Sequence, residues 1–148
     1  MSAKIIYRQF DNEVLVAHNN YRARHGVPPL VLNPTISKFS QSWAEYLSTQ
    51  TNVTHSGKYG ENIYRAWSLP SNFELKGNVP VDRWYAEIAN YTFNQEPTKK
   101  GTGHFTQLIW KDSKEIGVGK VKVWVVVNYS SPGNYPGQYV ANVPPPRT

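Results

Sequence analysis

The run Gly103-His104-Phe105-Thr106-Gln107-Leu108-Ile109-Trp110 constrains the fold more than any other stretch of the chain. Phe105, Leu108 and Ile109 recur at helical spacing on one face, and Thr102 precedes them as an N-cap candidate, so the spacing predicts a short buried helix. His104 falls in its first turn. There an imidazole nitrogen can face a cleft while the aromatic and aliphatic neighbours anchor the backbone. A lone histidine in an apolar run is more often a satisfied core residue than a ligand, so a functional role requires partners elsewhere in the chain.

Candidate partners are His55 in Val53-Thr54-His55-Ser56, Glu61 in Tyr59-Gly60-Glu61-Asn62-Ile63-Tyr64, and Glu87 after Arg83-Trp84-Tyr85-Ala86. Taken alone they are weak evidence. With His18-Asn19-Asn20-Tyr21-Arg22 upstream and Asn128-Tyr129-Ser130-Ser131-Pro132-Gly133-Asn134 downstream, the chain resembles the CAP superfamily of cysteine-rich secretory, antigen 5 and plant pathogenesis-related-1 proteins. The resemblance runs from about Phe10 to Pro144. It is nearest to the small Golgi-associated, pathogenesis-related-1-like branch, as the length and the terminal Asn142-Val143-Pro144-Pro145 also indicate. It implies an α+β fold, an α-β-α sandwich with a central antiparallel sheet of about three strands flanked by about four helices. One such domain would cover residues 1–148, with 130–148 as an extended Pro/Gly-rich tail laid over the body. The resemblance also implies that His55, His104, Glu61 and Glu87 line a central cleft able to hold zinc or another divalent cation weakly, with water completing the shell.

Composition bounds these expectations. A chain of 148 residues suits one domain and is short for two. Cysteine is absent, so any metal must be held by nitrogen and oxygen, and Val127 stands where the family pattern usually has a cysteine before Asn128-Tyr129. That departure favours a reducing compartment, and Met1 to Gln9 lacks the apolar core of a signal peptide. The expected location is therefore intracellular and peripheral to endomembranes, the alternative being a secreted mature form as for most of the family. Glycosylation-type triplets at Asn52, Asn90 and Asn128 carry little weight, since an Asn-rich chain yields some by chance. No stretch approaches the length of a transmembrane helix. Much of the net charge of +6 lies between Lys99 and Lys122, where Lys99, Lys100, Lys111, Lys114, Lys120 and Lys122 face only Asp112 and Glu115. This is either a solvated face or an attraction to anionic membrane surfaces. No recognition helix or RNA-binding signature accompanies the charge, which argues against nucleic acid.

In chain order, Phe10, Val14, Ala17 and Tyr21, broadened by Leu15 and His18, predict a helix from Gln9 to about Arg24, ended by Gly26 and Pro28-Pro29. His18 and Arg22 share its flank and read as structural ties. Asn33-Pro34 starts a second helix carrying Ile36, Phe39, Trp43, Tyr46 and Leu47 inward, to end near Thr49 to Asn52. Tyr59 to Trp67 reads as a strand, Pro70 to Asn78 as a loop, and a third helix runs from near Pro80 to about Asn90. In the Golgi-associated relatives the loop after it resembles a caveolin-binding-type aromatic motif linked to sterol binding. Tyr91 and Phe93 supply two aromatics of that spacing and Thr98 stands in place of the third. Tyr91, Phe93, Lys99 and Lys100 are the candidate lipid or membrane contacts. Ile116 to Tyr129 fits two paired strands with a tight reversal near Val121-Lys122.

No His-Glu-x-x-His helix and no Gly-x-Ser-x-Gly elbow is present, and the family is not unified by any one reaction. Binding therefore ranks above catalysis. The expected protein is a non-enzymatic binder of lipids, sterols or anionic membranes, with a homodimer allowed. The alternative is a zinc-dependent, peptidase-like hydrolase in the same cleft with Glu61 or Glu87 as base.

Overall fold

The structure, a computed structural model, describes residues 7–66 and 74–147. The amino-terminal segment 1–6, Trp67 and the first part of the expected 70–78 loop lie outside these residues. The first helix, α1, spans Gln9–Arg24, and β1 is Val31–Leu32. Next come α2 (Pro34–Leu47), β2 (Gly60–Arg65) and α3 (Asn78–Tyr85), which tightens into a 3-10 turn over Ala86–Asn90. After them lie α4 (Gly103–Ile109), β3 (Glu115–Val121), β4 (Trp124–Ser130) and α5 (Tyr139–Asn142). The third helix thus starts two residues before Pro80, and its expected end at Asn90 is reached in 3-10 form.

The strands form one four-stranded sheet in the order β1-β3-β4-β2. The expected three antiparallel strands are β2, β4 and β3, paired from Gly60↔Tyr129 to Arg65↔Trp124 and from Glu115↔Ser130 to Val121↔Trp124. The fourth, β1, pairs parallel to β3 over two residues, too few to leave any periodic signal. The reversal falls at Lys122-Val123, one residue later than the sequence reading, and Lys122 takes φ +53° where glycine or asparagine is the usual occupant.

Helices cover both faces. On one, α1, α3 and α4 bury Phe10, Val14, Trp84, Phe105, Leu108 and Trp110 against Ile116, Val118, Val125, Val127 and Tyr129. On the other, α2 packs Ala44 and Leu47 onto Ile63, Trp124 and Val126. The α-β-α sandwich is thus present, with five α-helices among the described residues where about four were expected.

One packing expectation is corrected. The inward row of α2 is Ile36, Ser40, Ala44 and Leu47, while Phe39 and Trp43 are half-buried and Tyr46 is 46% exposed. Gly117 and Gly119 of β3 explain this, because a Cβ on either would stand 2.3 Å from the α2 backbone at Ile36-Ser37 or at Ser40. At that separation only small residues fit the middle of the contact, and the large rings move to its flanks. The start of α2 is as expected, with Asn33 Oδ1 accepting from the Thr35 and Ile36 N–H groups at 2.9 and 3.1 Å.

Arg22 is fully buried and ties α1 to the loops around α4. It donates to the carbonyls of Pro28 (2.8 Å), Leu108 (3.1 Å), Trp110 (2.9 Å) and Ser113 (3.1 Å), and burial lowers its pKa to about 10. A cation beside the last carbonyls of a helix is also favoured by the helix dipole. The tail is not wholly extended. α5 interrupts it, the Asn142 side chain accepts from Asp112 N–H, and the Pro144 carbonyl accepts from His25 Nδ1–H.

Candidate functional site

α4 brings His104 to the edge of the sheet as its first-turn position predicts, but Thr102 makes no side-chain cap. Glu87 takes that role from the 3-10 turn after α3. Its Oε1 accepts from Phe105 N–H at 3.0 Å and its Oε2 from His104 Nδ1–H at 2.8 Å. One carboxylate therefore caps α4 and orients the imidazole.

The second pair has the same logic. Glu61 Oε1 accepts from His55 Nδ1–H and from Ser56 N–H, each at 2.9 Å, and Oε2 accepts from Ser56 Oγ and from Asn128 Nδ2. Burial alone would raise the Glu61 pKa, but the donors from His55, Ser56 and Asn128 outweigh it and lower the value. The Glu61 hydrogen bond in turn raises the pKa of His55 against the opposing effect of its partial burial. The His55 contribution to stability is complete below its ordinary 6.5 and fades as pH rises through the raised value. That of Glu61 is complete above 4.5 and fades as pH falls through the lowered value, so the tie is fully made between the two.

Each histidine thus keeps Nε2 open while a carboxylate holds Nδ1–H, an arrangement common behind metal-bound imidazoles. Each histidine is held by its own glutamate. His55 and Glu61 line a depression at the start of β2, with Gly133 and Tyr135 opposite, whereas His104 and Glu87 line another beside Ile63–Arg65. Among the described residues no three histidine or carboxylate side chains come together as a metal-holding group. The residues fit a weak ion held by one imidazole and water at each pair. They do not fit a closed tetrahedral centre.

The candidate lipid contacts separate as well. Tyr91 is buried and Phe93 half-buried, with both rings packed against Phe105 at centroid distances of 5.4 and 6.1 Å, so they anchor their loop to the core. Lys99 and Lys100 are exposed.

Two features escaped the sequence reading. Asn62 Nδ2 donates to the His104 carbonyl (3.0 Å) and to Tyr129 Oη (3.2 Å), and Tyr129 in turn donates to His18 Nε2 at 2.6 Å, since His18 Nδ1–H is spent on the Val14 carbonyl. This network fixes the first turn of α4 from inside the core. The other is an open groove of about 450 Å³ between α1 and α3, which includes Val16, Ala17 and Tyr21 in its lining. Tyr21 stacks on Tyr85 at 3.9 Å, Arg24 covers both rings, and Tyr21 Oη donates to Asp82 at 2.6 Å. Val16, 57% exposed, lies outside the inward stripe of α1 and marked nothing by itself.

Fold and paired histidines together define a CAP domain: the profile of the cysteine-rich secretory protein family matches residues 15–130, and the chain belongs to that family. It resembles Golgi-associated plant pathogenesis-related protein 1 of Homo sapiens, to which it is 41% identical over 95% of this chain and 96% of that one. A pathogenesis-related protein of PR-1 type from Sambucus nigra is 36% identical over 82% of this chain and 76% of its own length. In structure, NaASP2, solved with Zn2+, superposes with a TM-score of 0.69 at 19% identity, covering 88% of this chain and 83% of that one. Relatives thus include a Golgi-associated protein and, in Candida albicans, a protein named as secreted. No helix among the described residues is long and apolar enough to cross a membrane.

Proposed function

We propose that this CAP domain is a non-enzymatic binding protein that takes a lipid acyl chain or sterol into the groove between α1 and α3 and approaches anionic membranes through its lysines. The groove carries this reading. Its volume of about 450 Å³ lies within the range of small-molecule sites, roughly 300–1,000 Å³, and exposed Val16 with Ala17 and Tyr21 offers apolar surface to a ligand. Lys99, Lys100, Lys111, Lys114 and Lys122 are all exposed and add long-range attraction to an anionic surface.

The hydrolase reading has less support, because both glutamates spend their oxygens on protein donors and neither stands free as a base. A zinc ion at either histidine would supply a Lewis acid with a largely aqueous shell. Displacement of a fluorescent fatty acid tests the proposal. Val16→Glu should weaken uptake by about tenfold or more, because it places a charge against the acyl chain, while His55→Ala and His104→Ala leave it unchanged. Peptide hydrolysis that stops on chelation, together with uptake indifferent to Val16→Glu, would reverse the ranking.

A further inference from the structure

Strand β2 ends the sheet, so one of its sides has no neighbouring strand. Ala66 N–H donates to the Val123 carbonyl at 2.9 Å, and the register Arg65↔Trp124 sets those two residues opposite one another. Backbone groups alternate in direction along a strand. Asn62 and Tyr64 therefore turn N–H and C=O toward β4, while Glu61 and Ile63 turn theirs to the outer side. Among the described residues no hydrogen bond reaches the backbone N–H or C=O of Glu61 or of Ile63. Ile63 is only 8% exposed, and a backbone donor and acceptor held that close to the core are seldom left unpaired. The edge runs between the two depressions already described. Gly60 and Glu61 line the one of about 330 Å³, and Ile63 and Tyr64 line the one of about 480 Å³. Helices stand on both faces of the strand, since Ile63 packs against Ala44 and Leu47 of α2 and Asn62 holds the first turn of α4 through the His104 carbonyl. A single extended strand fits between those layers, whereas a folded copy of this chain would bring its own helices against them.

We propose that the outer edge of β2 binds an extended peptide segment of another protein, which adds a strand to the sheet. The peptide backbone pairs with the N–H and C=O groups of Glu61 and Ile63, and alternate side chains enter the depression beside Trp84, Asn90 and His104. About five residues, at roughly 3.3 Å each, match the edge from Glu61 to Arg65. The site is distinct from the acyl groove and stands whether or not the groove takes a lipid.

Hydrogen exchange and peptide titration of the 15N-labelled full chain test it. In the free protein the Glu61 and Ile63 N–H groups should exchange about tenfold or more faster than those of Asn62 and Tyr64, which the β4 ladder protects. The probe is an acetylated and amidated Thr-Val-Thr-Val-Thr pentapeptide, whose β-branched residues favour the extended form. It should shift the Glu61 and Ile63 amides saturably and slow their exchange. Two N-methylated isomers, one methylated at the valines and one at the threonines, each lose the donors of one side of the peptide strand. The isomer lacking the donors that face β2 should bind about tenfold or more weakly, while the other keeps its affinity. Slow exchange at Ile63 in the free chain, shifts that do not saturate or that fall elsewhere, or equal affinity of the two isomers would overturn the proposal, even with acyl-chain uptake intact. So would a concentration-dependent dimer that protects the same amides without peptide, because it assigns the edge to a second copy of the chain.

Discussion

At the scale of single residues, burial decides how the histidines behave. His18 is wholly buried and desolvation holds its pKa down to about 4, against 6.5 for the free side chain. Between these values the unfolded chain binds a proton that the native state refuses, so stability rises with pH across that window. Acidification from 6.5 to 4 should therefore cost about 3 kcal/mol. The His55–Glu61 tie is already complete between 6.5 and 4.5, and with His55 61% exposed it is worth at most about 1 kcal/mol, so His18 sets the sign. Urea unfolding as a function of pH measures this, and a flat profile from pH 6.5 to 4 would contradict it. Tyr129→Phe leaves His18 Nε2 and the Asn62 amide short of a partner and should lose about 1–3 kcal/mol at neutral pH in the same assay. Zinc follows a different rule, since only neutral imidazole donates its lone pair. Calorimetry should show weak uptake, reduced in His55→Ala and in His104→Ala. Because Glu61 raises the pKa of His55, protons should begin to displace the ion there above pH 6.5. Unchanged uptake in both variants would place the metal elsewhere.

Among the elements, the closest contact is α2 on β3. Gly117→Ala and Gly119→Ala each drive a methyl into helix backbone that has no rotamer to adjust, and each should destabilise by about 1–3 kcal/mol in chemical denaturation. Gly103→Ala serves as the control, because its Cβ meets only the Asn134 amide at 3.7 Å and should change stability by less than about 1 kcal/mol. Equal effects at the three positions would remove the close approach as the reason that Ser40 and Ala44, rather than Phe39 and Trp43, face the sheet.

For the molecule as a whole, much of the charge of +6 lies between residues 99 and 122, on lysines that are mostly exposed. Binding to anionic vesicles should exceed binding to neutral ones and fall as salt shortens the screening length from about 10 Å at 0.1 M toward about 3 Å at 1 M. Cosedimentation at two salt concentrations reads this directly. Binding that is the same on both vesicle types would detach the lysines from function.

Local information was enough for much of the fold. Apolar periodicity placed α1, Asn33-Pro34 placed the start of α2, and the β-branched run after Ile116 placed β3 and β4, because each signal lies within a few residues of what it specifies. The block Gly103–Trp110 likewise marked α4 and its histidine. What tertiary structure alone decided are the relations across chain distance. The register Glu61↔Asn128 puts an acceptor beside an amide 67 residues away, and the nearness of β3 to α2 selects small residues over aromatic ones. Motif and resemblance named His55, Glu61, Glu87 and His104, but only the packed chain set each carboxylate on its own imidazole and placed the two pairs in different depressions. A contact between side chains far apart in sequence depends on the packing of everything between them, and no local pattern encodes it.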